Sequence, residues 1–200
     1  MVSSGVRIRT PLSEGDVLKF KVGDIVLING LIITGRDKVH KYLFREKPNK
    51  KEIPFELEGS IIYHCGPIIT KIDNEYKLIA AGPTTSMRVE LYEPDIIRRY
   101  GIRGIIGKGG MGKKTIEAMR ELGCIYLHTI SGAAAYLADR IKGVSDVWKL
   151  DEFGEAEAMW LFDVEDFPAI VTIDAHGNSL HRDIEKASLE NLKRLILQVS

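Results

Sequence analysis

The residues best equipped for chemistry fall in three short stretches. Gly82-Pro83-Thr84-Thr85-Ser86-Met87-Arg88 places three consecutive hydroxyls ahead of an arginine. Pro83 stiffens the approach, and hydroxyls at a helix start can cap unpaired amides. On a helix, Thr84 and Arg88 share a face. A guanidinium fork and a hydroxyl beside a helix N-terminus suit a carboxylate, which accepts two parallel hydrogen bonds. The same spacing also fits an ordinary cap followed by a surface arginine. Gly35-Arg36-Asp37-Lys38-Val39-His40 repeats the arrangement, with Arg36 and His40 on one helical face and Asp37 at the helix start. His40 reads either as an acid–base or binding group, because imidazole titrates near neutrality, or as a helix-face histidine paired with a carboxylate.

The third stretch is Gly107-Lys108-Gly109-Gly110-Met111-Gly112-Lys113-Lys114-Thr115. It nearly matches the phosphate-binding pattern GxxxxGK[ST], but Lys114 stands where the hydroxyl belongs and Thr115 comes one place late. One residue rotates a helical side chain by about 100°, enough to lose a magnesium ligand. A nucleotidase is therefore the weakest reading. A plain glycine turn and a carboxylate-binding loop that presents Lys108 both remain open. His64, His128, His176 and His181 show no metal-ligand spacing, and the sequence assigns them no role.

Elements must bring these stretches together. VLKFKV and DIVLING read as hairpin-like strands around Gly23-Asp24, and LIIT leads into a helix over GRDKVHKYLFREK. SIIYHCGPIIT and YKLIAAGP read as strands around the turn IDNEY, with Pro67 forcing a bulge or edge. TTSMRVELY reads as a short threonine-capped helix, and EPDIIRRYG as a helix with proline at its start and glycine at its end. RGIIG, CIYLHT and AIVTID read as strands. GMGKKTIEAMRELG, GAAAYLADRIKG and LENLKRLIL read as helices. Strand–helix alternation of this kind predicts an α/β fold: a β-rich N-terminal portion, then parallel βαβ units with helices on both faces. One domain spanning 1–200 is expected, with a split near residue 82 possible but not compelled.

The 200 residues carry 28 basic and 28 acidic side chains, and 44% are hydrophobic. That balance gives no broad positive field for nucleic acid. No apolar run approaches the ~20 residues of a membrane span, and the N-terminal stretch lacks an apolar signal core, so a cytoplasmic location is expected. Cys65 and Cys124 lie far apart without a CxxC pairing, which predicts two buried, reduced thiols and no metal or cluster held by this chain alone.

Taken in order, GRDKVH, the strand-then-GPTTSMR turn and GIIGKGGM resemble the C-terminal part of class I fumarases and the β subunit of related iron–sulfur hydro-lyases, including L(+)-tartrate dehydratase. The resemblance runs from PLSEGDVLKFKVGD through VTIDAHGNSLH. It implies a swivelling β/β/α domain and the tricarboxylic acid cycle reaction that adds water reversibly to fumarate to give malate. It implies a four-iron four-sulfur cluster held by three cysteines of a partner α subunit, and hence a hetero-oligomer in which this chain is half of a site. By the same resemblance Arg36, Arg88 and Lys108 grip the carboxylates of a small dicarboxylate substrate. Thr84 abstracts the proton, with Thr85 as the fallback, and His40 binds or orients substrate. The alternatives are an L(+)-tartrate dehydratase β subunit and a non-catalytic dicarboxylate-binding module. An obligate partner predicts an interface above ~2,000 Å², and the charged loop KPNKKEIPFELEG is expected to order only against that partner.

Overall fold

The strand–helix alternation of the sequence builds a seven-stranded sheet and a separate two-stranded one. The computed structural model describes residues 5–73 and 75–199. Residues 1–4, part of the stretch read as lacking a signal core, and Asn74 of the predicted IDNEY turn lie outside the described residues. Strands β1 (Val6–Arg9), β2 (Ile25–Thr34), β3 (Ile61–Tyr63), β6 (Gly104–Gly107) and β7 (Ile125–His128) lie side by side in that order and run parallel to one another. β9 (Met159–Ile173) is antiparallel to β2, β7 and β8 (Ile141–Trp148). Because β9 joins both β2 and β7, the strands β2, β3, β6, β7 and β9 close into a barrel. The remaining strands, β4 (Ile68–Ile72) and β5 (Glu75–Ala80), form a separate antiparallel pair.

Closure changes where the apolar faces go. Ile61 and Tyr63 of β3 point to an inner cluster with Ile106, Ile125, Leu127, Trp160 and Phe162. Ile62, Ile105 and Tyr126 point outward, as the two-residue period of a strand requires. The outer face is covered by α2 (Asp37–Arg45), α3 (Glu93–Tyr100) and α4 (Lys113–Leu122) through Val39, Leu43, Ile96, Ile97, Ala118 and Met119. Helices on both faces of an open sheet are therefore not what is found; the second face is buried by folding the sheet on itself. The remaining helices are α1 (Glu14–Val17), α5 (Ala134–Ala138), α6 (Leu150–Phe153) and α7 (Leu180–Val199).

Several local expectations also change. VLKF is not strand: Ser13 and Asp16 make a reciprocal capping box that starts α1, and the helix ends in a turn at Leu18. DIVLING and LIIT are one strand, kinked at Gly30, where φ is +93° and the pairing with β9 shifts register. SIIYHCGPIIT is broken rather than bulged, since Pro67 separates β3 and β4 into different sheets. The threonine stretch gives only a 3₁₀ turn, Ser86–Val89, with no side-chain cap from Thr85. KPNKKEIPFELEG does not wait for a partner: Ile53, Phe55 and Leu57 are buried in the outer cluster. The antiparallel β8–β9 pair has no counterpart in the sequence reading beyond AIVTID. Its alternation of Trp160, Phe162 and Val164 inward against Asp163 and Glu165 was the available signal.

Candidate functional site

Parallel strands gather functional loops at their carboxyl ends. Here β2 ends at Thr34, β3 at Tyr63 and β6 at Gly107, so the arginine turn, His64 and the glycine loop emerge side by side. The threonine turn is stitched onto them by main-chain bonds. Thr84 N–H donates to His64 O at 2.7 Å, Ser86 N–H to Lys108 O at 3.1 Å, and Lys108 N–H to Thr84 O at 3.4 Å. Thr85 and Lys108 form a parallel bridge. The result is a narrow cleft of about 10 Å³, bordered by Arg36, Asp37, His64, Thr84, Thr85 and Arg88. A larger depression of about 860 Å³ lies between α4 and α7, and none of the predicted site residues lines it.

Each predicted residue can now be placed. Thr84 is half-buried, and its hydroxyl donates to His64 O at 3.0 Å rather than capping a helix. Thr85 is exposed at the rim. Arg88 is exposed and paired with the Asp37 carboxylate. Arg36 caps α2 without a side-chain cap bond; its Nε lies 3.3 Å from Glu157 Oε1, with both side chains largely covered. Gly66 leaves room for that arginine, because a Cβ there would overlap the guanidinium. Lys108 stands beside the threonines and reaches Ser131 Oγ at 3.1 Å. Thus Arg36, Thr84, Thr85, Arg88 and Lys108 are neighbours.

Two of the three cations already hold a carboxylate of the chain, which pre-positions them. Exposed pairs are worth at most about 1 kcal/mol, so an incoming carboxylate displaces Asp37 from Arg88 at small cost. The Arg36–Glu157 pair is less exposed and is the firmer anchor.

The helix start after the glycine loop is not free for a ligand anion. Glu90 fills it, its carboxylate accepting from Gly112 N–H at 2.8 Å, Thr115 N–H at 3.3 Å and Thr115 Oγ1 at 2.6 Å. This internal cap removes the amides on which a nucleotide or carboxylate cradle would depend.

His40 does not border the cleft. It is fully buried, with Nδ1 2.7 Å from Arg36 O and Nε2 2.8 Å from Glu93 Oε2. The same Glu93 oxygen lies 3.3 Å from His64 Nε2. Sequence reasoning passed over both His64 and Glu93. Nothing in their spacing joins them; the one available clue was an acidic residue beside Pro94 at the start of an otherwise apolar helix face.

The two cysteines do not fit an iron–sulfur cluster. Cys65 and Cys124 are both buried, and burial pushes both thiols upward, Cys65 to about 12. Cluster ligands are thiolates, usually three or four of them.

Comparison with known proteins matches residues 2–184 to the family model described as Fumarase C-terminus. The chain is 52% identical over 190 residues to a Geobacillus stearothermophilus protein provisionally named fumarate hydratase class I, covering 94% of this chain and 36% of that protein. It therefore spans about a third of that relative's length. A Methanocaldococcus jannaschii protein provisionally named L(+)-tartrate dehydratase subunit beta is 42% identical, covering 92% of this chain and 95% of the relative. The L(+)-tartrate dehydratase subunit beta of Escherichia coli K12 is 33% identical, covering 95% and 93%.

Proposed function

This chain belongs to the fumarase C-terminus family, and on that premise we propose that it supplies the substrate-gripping half of a hydro-lyase site that converts fumarate to L-malate reversibly. The observation that carries the reading is that Arg36, Arg88 and Thr84 border one cleft, with the main chain of Lys108 bonded to the threonine turn beside it. Two carboxylates held by such groups fix the orientation of the carbon between them, and orientation is a large share of an elimination barrier. Thr84 is the proton-abstracting residue of this reading. Its bond to His64 O fixes the hydroxyl rotor. A threonine oxygen is a weak base at its ordinary pKa, and neighbouring cations favour its ionised form.

In the dehydration direction, Thr84 Oγ1 acts once ionised, having lost its proton to solvent and with it the bond to His64 O. It takes the proton from the substrate carbon while the arginines and Lys108 hold the carboxylates. The C–H electron pair becomes the double bond and hydroxide leaves the adjacent carbon on the partner's side; hydration reverses each transfer. The chain's cysteines do not suit a cluster, so this reading assigns the four-iron four-sulfur group to a partner α subunit, with this chain as the β-type half. The relatives named subunit beta support a partner. Those same names support a second substrate, L(+)-tartrate. Nothing in the cleft distinguishes a hydrogen from a hydroxyl on the reacting carbon.

The test is the ratio of kcat/KM for fumarate and L(+)-tartrate, measured anaerobically on the complex of this chain with its cluster-bearing partner. A preference for fumarate supports the reading. A preference for tartrate retains the half-site and moves the substrate, and a complex with an intact cluster that turns over neither leaves only a dicarboxylate-binding module.

A further inference from the structure

Below the cleft lies a polar network that the proposed chemistry does not use. Glu93, from the first turn of α3, places one carboxylate oxygen against His40 on α2 and His64 beyond β3, and all three residues are buried. His64 Nδ1 lies 2.8 Å from Ser86 Oγ, which lies 2.8 Å from Tyr126 OH. The imidazoles meet edge to face with centroids 4.9 Å apart.

We infer that His40, Glu93 and His64, extended by Ser86 and Tyr126, form a positioning network that stores one proton on His40 and holds the arginine turn in register with the threonine turn. This rests on the proposed reading of the cleft above it.

The hydrogen-bond directions follow from the atoms. Nδ1 of His40 meets the Arg36 carbonyl, and Nε2 lies 2.8 Å from the Glu93 carboxylate as a close ion pair rather than an aligned hydrogen bond. On this inference each nitrogen carries a proton, making the ring an imidazolium. His64 faces the same carboxylate through Nε2, so its proton sits there and Nδ1 accepts from Ser86. Ser86 Oγ then accepts from Tyr126. One carboxylate and one imidazolium leave the network neutral, whereas a second proton would strand a net charge away from water.

The acid–base tendencies agree. Burial opposes charge on His40, but the Glu93 charge and its hydrogen bond, with that of Arg36 O, outweigh it and raise the pKa. Burial lowers His64. Burial also opposes charge on Glu93, but the two imidazoles outweigh it and bring the carboxyl to about 2. The Asp37 charge also acts on both histidines, and the Glu93 charge in turn raises Cys124 and Tyr126.

Each end of the network holds a piece of the cleft. His40 fixes the main chain of Arg36, a residue that lines the cleft. His64 offers its carbonyl to both the amide and the hydroxyl of Thr84. Apolar packing stabilises a core as well as a buried ion pair does. What an apolar cluster would lack is a run of polar contacts, hydrogen bonds at its ends and an ion pair at its centre, from one turn to the other.

Nitrogen-15 imidazole spectra of the full-length chain test the proton's position. At pH 6.5, the ordinary imidazole midpoint, His40 should be mainly doubly protonated and His64 mainly a neutral ring protonated at Nε2. A neutral His40, or one bound metal ion per chain with metal-shifted ring signals, overturns the inference. Glu93→Gln tests positioning without needing turnover: backbone amide signals of both Arg36–Asp37 and Thr84–Ser86 should move. In the active complex kcat should fall at least about tenfold with KM changed less than about threefold. Tyr126→Phe is the milder variant should Glu93→Gln not fold; it should move the Thr84–Ser86 signals and lower kcat about threefold. Amide shifts confined to the mutated residue's own neighbours, or an unchanged kcat beside a lost imidazolium signal, overturn the positioning role. A wild-type complex that turns over no dicarboxylate defeats the proposed function alone, because the spectra and amide shifts decide this inference separately.

Discussion

At the scale of single residues, labour is divided between groups that border the cleft and groups that hold it. Thr84→Ala should lower kcat by about a hundredfold or more with KM changed only a few-fold, as expected for a proton-transfer group; steady-state kinetics of the complex would show it. A rise in KM alone would reduce Thr84 to a binding contact. Arg88→Ala should raise KM about tenfold to a hundredfold with a smaller effect on kcat, since its pair with Asp37 is exposed and only its grip on the ligand is lost.

The buried network predicts a pH dependence of stability. His40 is raised above its ordinary 6.5, so its contribution is present below 6.5 and is lost as pH rises through the raised value. His64 is lowered, so its contribution is present above 6.5 and is lost as pH falls through the lowered value. Glu93, brought from 4.5 to about 2, contributes above 4.5 and loses that contribution between these values. Because Glu93 raises both histidines, the wild-type advantage over Glu93→Gln should be largest between about pH 4.5 and 6.5, at about 3–5 kcal/mol, and shrink as pH rises through the His40 value or falls below 4.5. Denaturation curves across pH check it, and a pH-independent difference would contradict it.

Arg36, Thr84, Arg88 and Lys108 were legible because each stands beside a glycine, proline or helix start, where local chemistry marks a turn. His64 and Glu93 were not. A buried carboxylate and its imidazoles meet only through tertiary packing, and no spacing encodes that.

At the scale of elements, the glycine loop is spatially demanding at some positions and open at others. A Cβ at Gly107 would overlap Ser86 Oγ and come within 2.9 Å of Tyr126 OH, whereas one at Gly109 meets nothing within 4 Å. Gly107→Ala should therefore cost about 1–3 kcal/mol and disturb the network. Gly109→Ala should cost about 1 kcal/mol from its positive φ alone. Thermal or denaturant melts of the two variants would separate these costs, and equal losses would contradict the placement of the hub over Gly107. The glycine pattern was visible in the sequence, but its reason was not: the loop clears space for buried hydroxyls, while Glu90 takes the helix amides. VLKF shows the opposite case, in which a capping box outranks strand-like alternation.

At the scale of the whole molecule, α/β alternation was readable, and barrel closure was not, because it depends on one long strand pairing with two others across the chain. The C-terminal helix exposes Leu189, Leu192, Leu195, Ile196 and Leu197. Among the described residues, no helix is long and apolar enough to cross a membrane. The cleft itself is too small for a dicarboxylate, at about 10 Å³. A second chain facing it would enlarge and complete the pocket.

The most direct measurement is anaerobic fumarate hydration by this chain, by its cluster-bearing partner, and by the two together at equal concentration. The account predicts turnover from the mixture and none from either chain alone. Full activity from the partner alone, or no turnover of any dicarboxylate from a mixture whose cluster is intact, would contradict the claim that this chain carries half of the site.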